Sequence, residues 1–296
     1  MAEPSTFDRT LASLRPLVPA RFRSDIPIVP VVRLSGVIGF SRPFKPGLTL
    51  ASVARVLDRA FAMRNIRAVA LSINSPGGSA VQSHLIFKRI RALADEKKLP
   101  VIAFVEDIAT SGGYMIACAA DEIVCDVSSV VGSIGVVGSS FGFEKLIEKV
   151  GIERRLYTSG ERKAMLDPFL PEKPEDVERL KAIQSEIHEV FIALVKGRRG
   201  DKLDSRETAL FSGEYWTGQR GLKFGLVDAI GDLRGVLRER FGDKLRMPLV
   251  AERSSFGRRL LGMTESHSGL LANGSNFAED LVSTLEARAL WARYGL

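Results

Sequence analysis

The sequence has few of the side chains that hold metals or build disulfide frameworks. Its 296 residues include two cysteines and three histidines. Cys118 and Cys125 stand in apolar surroundings and are not spaced as a CxxC pair, so we predict reduced core residues. The histidines, His84, His188 and His267, are scattered along the chain, which argues against a histidine-based metal cluster. We therefore predict neither a metal nor a cofactor.

Long apolar runs are also missing. No stretch of about 18 apolar residues occurs, which argues against a transmembrane helix. The N-terminus lacks the apolar core of a signal peptide, so we expect a cytoplasmic location. The net charge of +7 comes from dispersed basic residues, and residues 196–199 form the local cluster. We expect no nucleic-acid partner and at most a weak peripheral contact with the inner membrane.

The composition allows a large core, since 45% of the residues are hydrophobic. We predict three parts. An N-terminal arm covers residues 1–25 and the main domain covers residues 26–250. Residues 251–296 form a Ser/Gly-rich linker and a closing amphipathic helix.

Short apolar segments alternate with helical spacing in the first half of the main domain. The predicted strands cover residues 28–34, 68–73, 100–105 and 122–125. This alternation predicts an α/β fold of βαβ units with a mainly parallel sheet. Two glycine-bearing turns, at residues 74–79 and 110–113, follow two of these strands. We therefore expect both turns at the carboxyl edge of the sheet, where such folds carry their functional loops.

The pattern changes after residue 127. Residues 156–160 read as a strand leading into a turn. A long amphipathic helix is predicted from about residue 174 to residue 196, with its apolar side chains on one face. The helices that follow the sheet are therefore expected in the C-terminal part of the chain.

Ser111 is the first candidate for chemistry. It stands between a predicted strand and a helix of small residues, and Gly112 and Gly113 follow it. Such a serine is either a helix N-cap or a nucleophile, because free N–H groups at a helix start can stabilise negative charge on an attacked carbonyl. The glycines let a substrate main chain come close. We expect Gly77 and Gly113 to border the substrate.

A nucleophilic serine needs a base. His84 and His188 lie on predicted helices, and either could reach the site in three dimensions. A lysine can replace histidine if it is partly removed from water, because desolvation favours the neutral amine. Lys163 is the lysine candidate, since it stands between a turn and an apolar segment.

Four linked motifs carry a family resemblance. They are NSPGG at residues 74–78, TSGGY at 110–114, GSIGV at 132–136 and SGxxKxxxDPF at 159–169. Together they resemble the signal peptide peptidase A family of serine proteases, peptidase family S49. The similarity covers about residues 28–240, and the motifs occur in the family's order.

The resemblance implies a Clp-protease/crotonase-like fold and a serine endopeptidase with a Ser–Lys dyad. Its substrates would be short or unfolded peptides, including remnants of signal peptides, cleaved through an acyl-enzyme. By the same resemblance, Ser111 is the nucleophile and Lys163 is the general base. Ser133 is the hydroxyl that positions the lysine amine. The main-chain N–H groups of Gly78 and Gly112 form the oxyanion hole.

The chain also departs from the family. Many members carry an N-terminal membrane anchor, and we predict none in this sequence. Some members contain two tandem copies of the motifs, whereas this sequence has one copy. Members form rings in which serine and lysine can come from neighbouring chains, so we expect a homo-oligomer. Two alternatives stay open at this point. They are a crotonase-like enzyme that binds acyl-CoA and a non-catalytic scaffold that assembles with membrane partners.

Overall fold

The structure is a computed structural model that describes residues 26–39, 47–160, 162–204, 206–251, 285 and 288–295. The predicted arm at residues 1–25 and most of the predicted C-terminal part lie outside the described residues. The strands are β1 (Val31–Ser35), β2 (Val69–Ser75), β3 (Val101–Thr110), β4 (Glu122–Cys125), β5 (Val130–Gly132), β6 (Tyr215–Thr217) and β7 (Ala229–Ile230). The helices are α1 (Leu50–Phe61), α2 (Ala80–Lys97), α3 (Gly112–Ala117), α4 (Glu144–Lys149), α5 (Pro174–Arg199), α6 (Gly218–Lys223) and α7 (Leu233–Phe241).

The described strands form one sheet. Its main path is β1-β2-β3-β4-β7, and every pair along this path is parallel. Off the path, β5 pairs with β3 in parallel and β6 pairs with β5 antiparallel. The predicted α/β class with a mainly parallel sheet is therefore confirmed. Helices α5 to α7 lie in the C-terminal part of the described chain as expected, but β6 and β7 alternate with them.

The local sequence explains why the first elements form. The strand β2 is almost wholly buried, as expected of a continuous apolar run in a parallel sheet covered on both faces. The helix α1 starts at Thr49, which forms a capping box with Ser52. Its buried side chains, including Val53 and Leu57, recur at helical spacing and pack in the same core as β2.

Strand β3 is longer than the sequence predicts. The prediction ended it at residue 105, but the strand continues through the exposed Glu106 and Asp107 to Thr110. It changes partner along its length, because residues 102–105 pair with β4 and residues 108–110 pair with β5. The two acidic residues interrupt the apolar pattern while the strand itself goes on. As a result, Ser111 directly follows a ten-residue strand.

A segment far along the chain lies beside the first strand. Val29 N–H and Val31 N–H donate to the carbonyls of Arg246 and Pro248, each at 2.9 Å, and Val250 N–H donates to Val31 at 2.9 Å. Strand β1 is therefore flanked by β2 on one side and by residues 246–250 on the other.

The predicted strand at residues 156–160 is wrong. These residues are exposed, and no described residue pairs with them as a strand. They belong to a stretch from residue 137 to residue 160, here called the exposed segment, in which nearly every residue is exposed and the short helix α4 buries nothing. Its exposed apolar side chains include Val137, Phe141, Leu146, Val150, Ile152 and Tyr157.

The long helix α5 is present, but its apolar face is covered only near its C-terminal end. Buried side chains are confined to Phe191, Val195 and Arg199, whereas Ile183 and Val190 are 44% and 51% exposed. The amphipathic pattern thus predicts the helix correctly and leaves much of its apolar face without a partner in the described chain. In the described ranges, no helix combines the length and apolarity needed to cross a bilayer.

Candidate active site

Ser111 occupies a strained turn between β3 and α3. Its φ and ψ are +50° and −123°, a combination that costs a non-glycine residue free energy unless its neighbours hold it. Its N–H donates to Gly132 at 2.8 Å and its carbonyl accepts from Met115 at 3.0 Å. The hydroxyl makes no capping hydrogen bond to α3. Ser111 therefore stands at the N-cap position, but its hydroxyl does not cap the helix and is available to react.

The two glycine-bearing turns meet at Ser111, at the edge of the sheet where the sequence predicts them. A Cβ atom on Gly77 would lie 2.8 Å from Ser111 Cβ and 2.9 Å from the nitrogen of Gly112. A Cβ atom on Gly113 would lie 2.5 Å from the carbonyl oxygen of Ser75. Gly77 also has a φ of +99°, which favours glycine. The turns thus pack main chain against main chain because no side chain separates them.

The predicted oxyanion donors lie in these two turns. Gly78 has a φ of +139°, and a Cβ atom there would collide with the carbonyl of Ile38. A Cβ atom on Gly112 would collide with the hydroxyl of Ser83 on α2. The N–H groups of Gly78 and Gly112 donate to no other described residue. Two main-chain donors are therefore available next to the Ser111 turn.

Ser133 lies beside Ser111 at the same edge. Thr110 of β3 pairs with Gly132 of β5, so each serine directly follows one member of this pair. Neighbouring strands lie about 4.7–4.9 Å apart. Ser133 is 8% exposed and also has a positive φ, of +53°. Its N–H donates to Glu214 at 2.6 Å and its carbonyl accepts from Gly135 at 3.0 Å.

Lys163 is the predicted catalytic residue that is not hydrogen-bonded to Ser111 or Ser133 within the described chain. It is exposed and its N–H donates to Gly160 at 3.2 Å, in a turn that follows the exposed segment. Among the described residues no hydrogen bond joins it to Ser111 or Ser133. A single chain does not supply the partial desolvation that a lysine base requires.

The two helix histidines have other partners. His188 Nε2 lies 3.0 Å from the carbonyl oxygen of Ile134, so it joins α5 to the turn after β5. His84 stacks on Phe87 and lines an open groove of about 400 Å³ between α2 and α5, in which none of the predicted catalytic residues lies. Partial burial, with the charge of Lys88, lowers the pKa of His84. In the described part of the chain, no group of three or more acidic, histidine or cysteine side chains is placed to hold a metal ion.

A buried polar cluster supports the helix that follows Ser111. The Tyr114 hydroxyl on α3 donates to the Leu226 carbonyl at 2.7 Å, and burial raises the pKa of Tyr114 well above its usual value. Nearby, Arg199 is 3% exposed and forms two hydrogen bonds to Asp228, at 2.7 and 3.1 Å. Burial alone raises the pKa of Asp228, but the hydrogen bonds from Arg199 and Lys202 outweigh it and lower the pKa below its usual value.

Sequence reasoning missed two residues that touch the site. The main chain of Ile38 packs against Gly78 through an isolated β-bridge. No periodic pattern in the sequence predicts this bridge, because it lies outside the strands. The Tyr294 hydroxyl donates to Ser133 Oγ at 3.2 Å from 161 positions along the chain. A tyrosine near the C-terminus carries no signal that could have placed it there.

The chain is similar in sequence to known proteins. The profile of peptidase family S49 matches residues 93–241, just over half of the chain. Na(+)/H(+) antiporter NhaA from Brucella abortus (strain 2308) is 51% identical over 289 residues, 96% of this chain and 39% of that protein. Serine protease SPPA, chloroplastic, from Arabidopsis thaliana is 36% identical over 174 residues, 57% of this chain and 25% of that protein.

Among solved structures, a mutant of the 1510-N membrane-bound stomatin-specific protease in complex with a substrate peptide is 18% identical, with a TM-score of 0.48. That match covers 80% of this chain and 97% of the other. This chain spans about two fifths of the length of the Brucella protein and a quarter of the Arabidopsis protein. The antiporter name belongs to a longer protein, most of which lies outside the match.

The chain belongs to peptidase family S49. This confirms the family that the four motifs resembled. The match begins within α2 and ends with α7, so it contains Ser111, Ser133 and Lys163 but not Gly77 or Gly78.

Proposed function

We propose that the protein is a serine endopeptidase that uses Ser111 as nucleophile and Lys163 as general base. One observation carries the proposal. Ser111 is held in a strained turn with an uncapped hydroxyl, beside two main-chain N–H groups that donate to no other described residue. Membership of family S49 supports peptide hydrolysis as the reaction.

The proposed reaction has two halves, acylation of Ser111 and hydrolysis of the acyl-enzyme, and the same groups serve in both. Ser111 Oγ attacks the peptide carbonyl while its proton passes to Lys163 Nζ. The N–H groups of Gly78 and Gly112 stabilise the oxyanion, and losing one such donor typically costs about 2.7–4 kcal/mol of transition-state stabilisation. The lysine then protonates the leaving amine, which leaves an acyl-enzyme. A water molecule then gives a proton to the Lys163 amine and attacks the acyl-enzyme carbonyl. The acyl group leaves as a carboxylic acid, and the proton returns from Lys163 to Ser111 Oγ.

The base is proposed to come from a neighbouring subunit. Lys163 is exposed in one chain and follows the exposed segment, residues 137–160. The apolar side chains along this segment and on helix α5 form the kind of surface that an interface buries. A homo-oligomer in which the exposed segment carries Lys163 to the next Ser111 would both cover these side chains and complete the dyad.

The proposed substrates are short or unfolded peptides, including signal-peptide remnants. Gly77, Gly78, Gly112 and Gly113 border the Ser111 turn, and a Cβ atom at any of them would collide with a neighbouring part of the chain. We expect main chain rather than side chains to line the approach to Ser111 at these positions. An extended peptide can approach such a surface closely, whereas a folded protein keeps its main chain within its own hydrogen bonds.

The test is labelling of the intact protein with a fluorophosphonate probe, followed by mass spectrometry and casein hydrolysis. We expect one label per chain, on Ser111, and neither label nor hydrolysis in Ser111→Ala. Ser128→Ala, at an exposed serine in another turn, serves as the matched control and should behave as wild type. Hydrolysis of casein by purified Ser111→Ala would overturn the assignment.

A further inference from the structure

The Ser133 hydroxyl has a partner that lies outside the family match. Residues 288–292 form a helical turn, and the chain then places Tyr294 against Ser133, where the Tyr294 hydroxyl donates to Ser133 Oγ at 3.2 Å. Ser133 is 8% exposed and its main chain is fixed by bonds to Glu214 and Gly135. The Tyr294 contact therefore acts on a side chain whose main chain is already held.

Two further contacts hold Tyr294 in this place. Its ring packs edge-on against Tyr215 of β6, with ring centroids 4.9 Å apart and an interplanar angle of 72°. The Tyr215 hydroxyl donates to the carbonyl of Arg293 at 3.2 Å. The C-terminal residues are thus attached to the edge of β6 through both main chain and side chain.

The sheet decides from which side Tyr294 reaches Ser133. Strand β5 lies between β3 and β6, and its last residue, Gly132, pairs with Thr110 on one side and with Tyr215 on the other. Ser111 follows Thr110, whereas Tyr294 packs on Tyr215. Tyr294 therefore lies on the β6 side of Ser133, whereas Ser111 lies on its β3 side.

We infer that Tyr294 is a positioning residue for the proposed Ser–Lys dyad, and this inference rests on the proposed function. A hydroxyl oxygen can accept two hydrogen bonds and donate one. The bond from Tyr294 uses one acceptor position of Ser133 Oγ and so fixes its rotamer. The hydroxyl proton and the second acceptor position of Ser133 then remain for the Lys163 amine. Tyr294 itself touches neither substrate nor base.

The test compares Tyr294→Phe with wild type in the whole 296-residue chain. The substitution removes one hydroxyl and keeps the ring that packs on Tyr215, so circular dichroism and native mass spectrometry should be unchanged. We expect kcat to fall about three- to tenfold with KM unchanged, which is the effect of losing one ordinary hydrogen bond in the transition state. Both casein hydrolysis and the rate of fluorophosphonate labelling of Ser111 are measured, so that the reactivity of Ser111 can be compared even in variants with slow hydrolysis.

The decisive control is the same substitution in a Ser133→Ala background. If Tyr294 acts through Ser133, Tyr294→Phe should cause no further loss there, in a double-mutant cycle. The inference would be overturned by an equal loss in both backgrounds or by no loss in either. A rise in kcat of the single variant would also overturn it, because it would show that Tyr294 blocks the site. Inactive wild type, or activity that survives Ser111→Ala, would instead overturn the proposed function.

Discussion

The two serines of the candidate site share an unusual backbone angle, a positive φ. Ser111 and Ser133 have φ values of +50° and +53°, although neither is glycine. Each such residue costs on the order of 1–3 kcal/mol, which the surrounding structure must offset. Here the main-chain bonds to Gly132 and Glu214 hold them in place. The sheet edge thus fixes both side-chain directions before any substrate arrives.

At the same scale, Lys163→Arg tests the identity of the base. The arginine variant keeps the positive charge and side-chain length, but a guanidinium does not give up its proton at any ordinary pH. We expect a loss of casein hydrolysis of at least 100-fold, because general base catalysis contributes about 10²–10⁴-fold.

Lys223→Arg is the matched control, since it makes the same change at an exposed lysine of α6. That variant should hydrolyse casein at the wild-type rate. A Lys163→Arg protein with a near-normal rate would exclude Lys163 as the base.

Individual residues were predictable where the chemistry is local. Ser111 and its glycines could be named because a strand, a small-residue turn and a helix occur consecutively in the sequence. Tyr294 could not, since its contact with Ser133 depends on how the far end of the chain docks on β6. The place of Lys163 relative to Ser111 stays a prediction, because the described chain joins the two residues by no hydrogen bond.

At the scale of elements, the exposed segment and helix α5 share one property. Both carry apolar side chains that the rest of the described chain does not cover, such as Phe141 and Val150 on the segment and Val190 on the helix. Helix periodicity correctly predicts α5, because spacing alone fixes which residues share a face. It cannot tell whether that face meets its own chain or another.

Strand predictions failed in two different ways. The prediction ended β3 at residue 105 because Glu106 and Asp107 break the apolar run, but pairing with β5 carries the strand on. Residues 156–160 have the composition of a strand and form none, since no described strand lies beside them. A strand needs a neighbour, and the sequence of one segment does not contain that neighbour.

Mixing two inactive variants tests whether elements of neighbouring subunits share the site. Ser111→Ala and Lys163→Ala are dissociated, combined and reassembled. If the exposed segment carries Lys163 to the next subunit, some interfaces then pair an intact serine with an intact lysine. We expect up to about a quarter of wild-type casein hydrolysis to return, the fraction for random pairing.

Native mass spectrometry of the same sample must show mixed oligomers. Each variant reassembled alone is the control and should stay inactive. Mixed oligomers without activity would refute the shared site, while the Ser–Lys assignment would still stand.

At the scale of the whole molecule, the buried pair of Arg199 and Asp228 joins distant parts of the chain. Arg199 ends α5, and Asp228 lies just before β7 and accepts the N–H of Ile123 from β4 at 2.8 Å. Arg199 also donates to the carbonyl of Gly225 at 2.9 Å. Removing one partner leaves a buried charge without compensation, which is far more costly than losing an exposed pair.

We expect Asp228→Asn to lower the free energy of unfolding by roughly 3 kcal/mol at neutral pH. Because the folded pKa of Asp228 is depressed, its contribution is present above the ordinary aspartate pKa of about 3.9 and is lost as pH falls through the folded value. The difference between variant and wild type should therefore shrink below about pH 4. Urea unfolding at fixed protein concentration measures both effects.

Asp95→Asn is the control for this measurement, because Asp95 pairs with Arg91 while 68% of its side chain is exposed. Its effect should stay below about 1 kcal/mol. An equal and small effect of both substitutions would contradict the view that the buried pair stabilises the fold.

The position of residues 246–250 beside β1 also bears on how the chain is made. On a ribosome, β1 can pair with β2 as soon as residue 75 has emerged, but its other edge has no partner until residue 250 follows. At about 5–20 residues per second, that edge stays open for roughly 9–35 s. An open apolar strand edge is a template for pairing with other chains. The nascent protein therefore passes through a period of exposure to aggregation that ends only when residues 246–250 are synthesised and cover this edge.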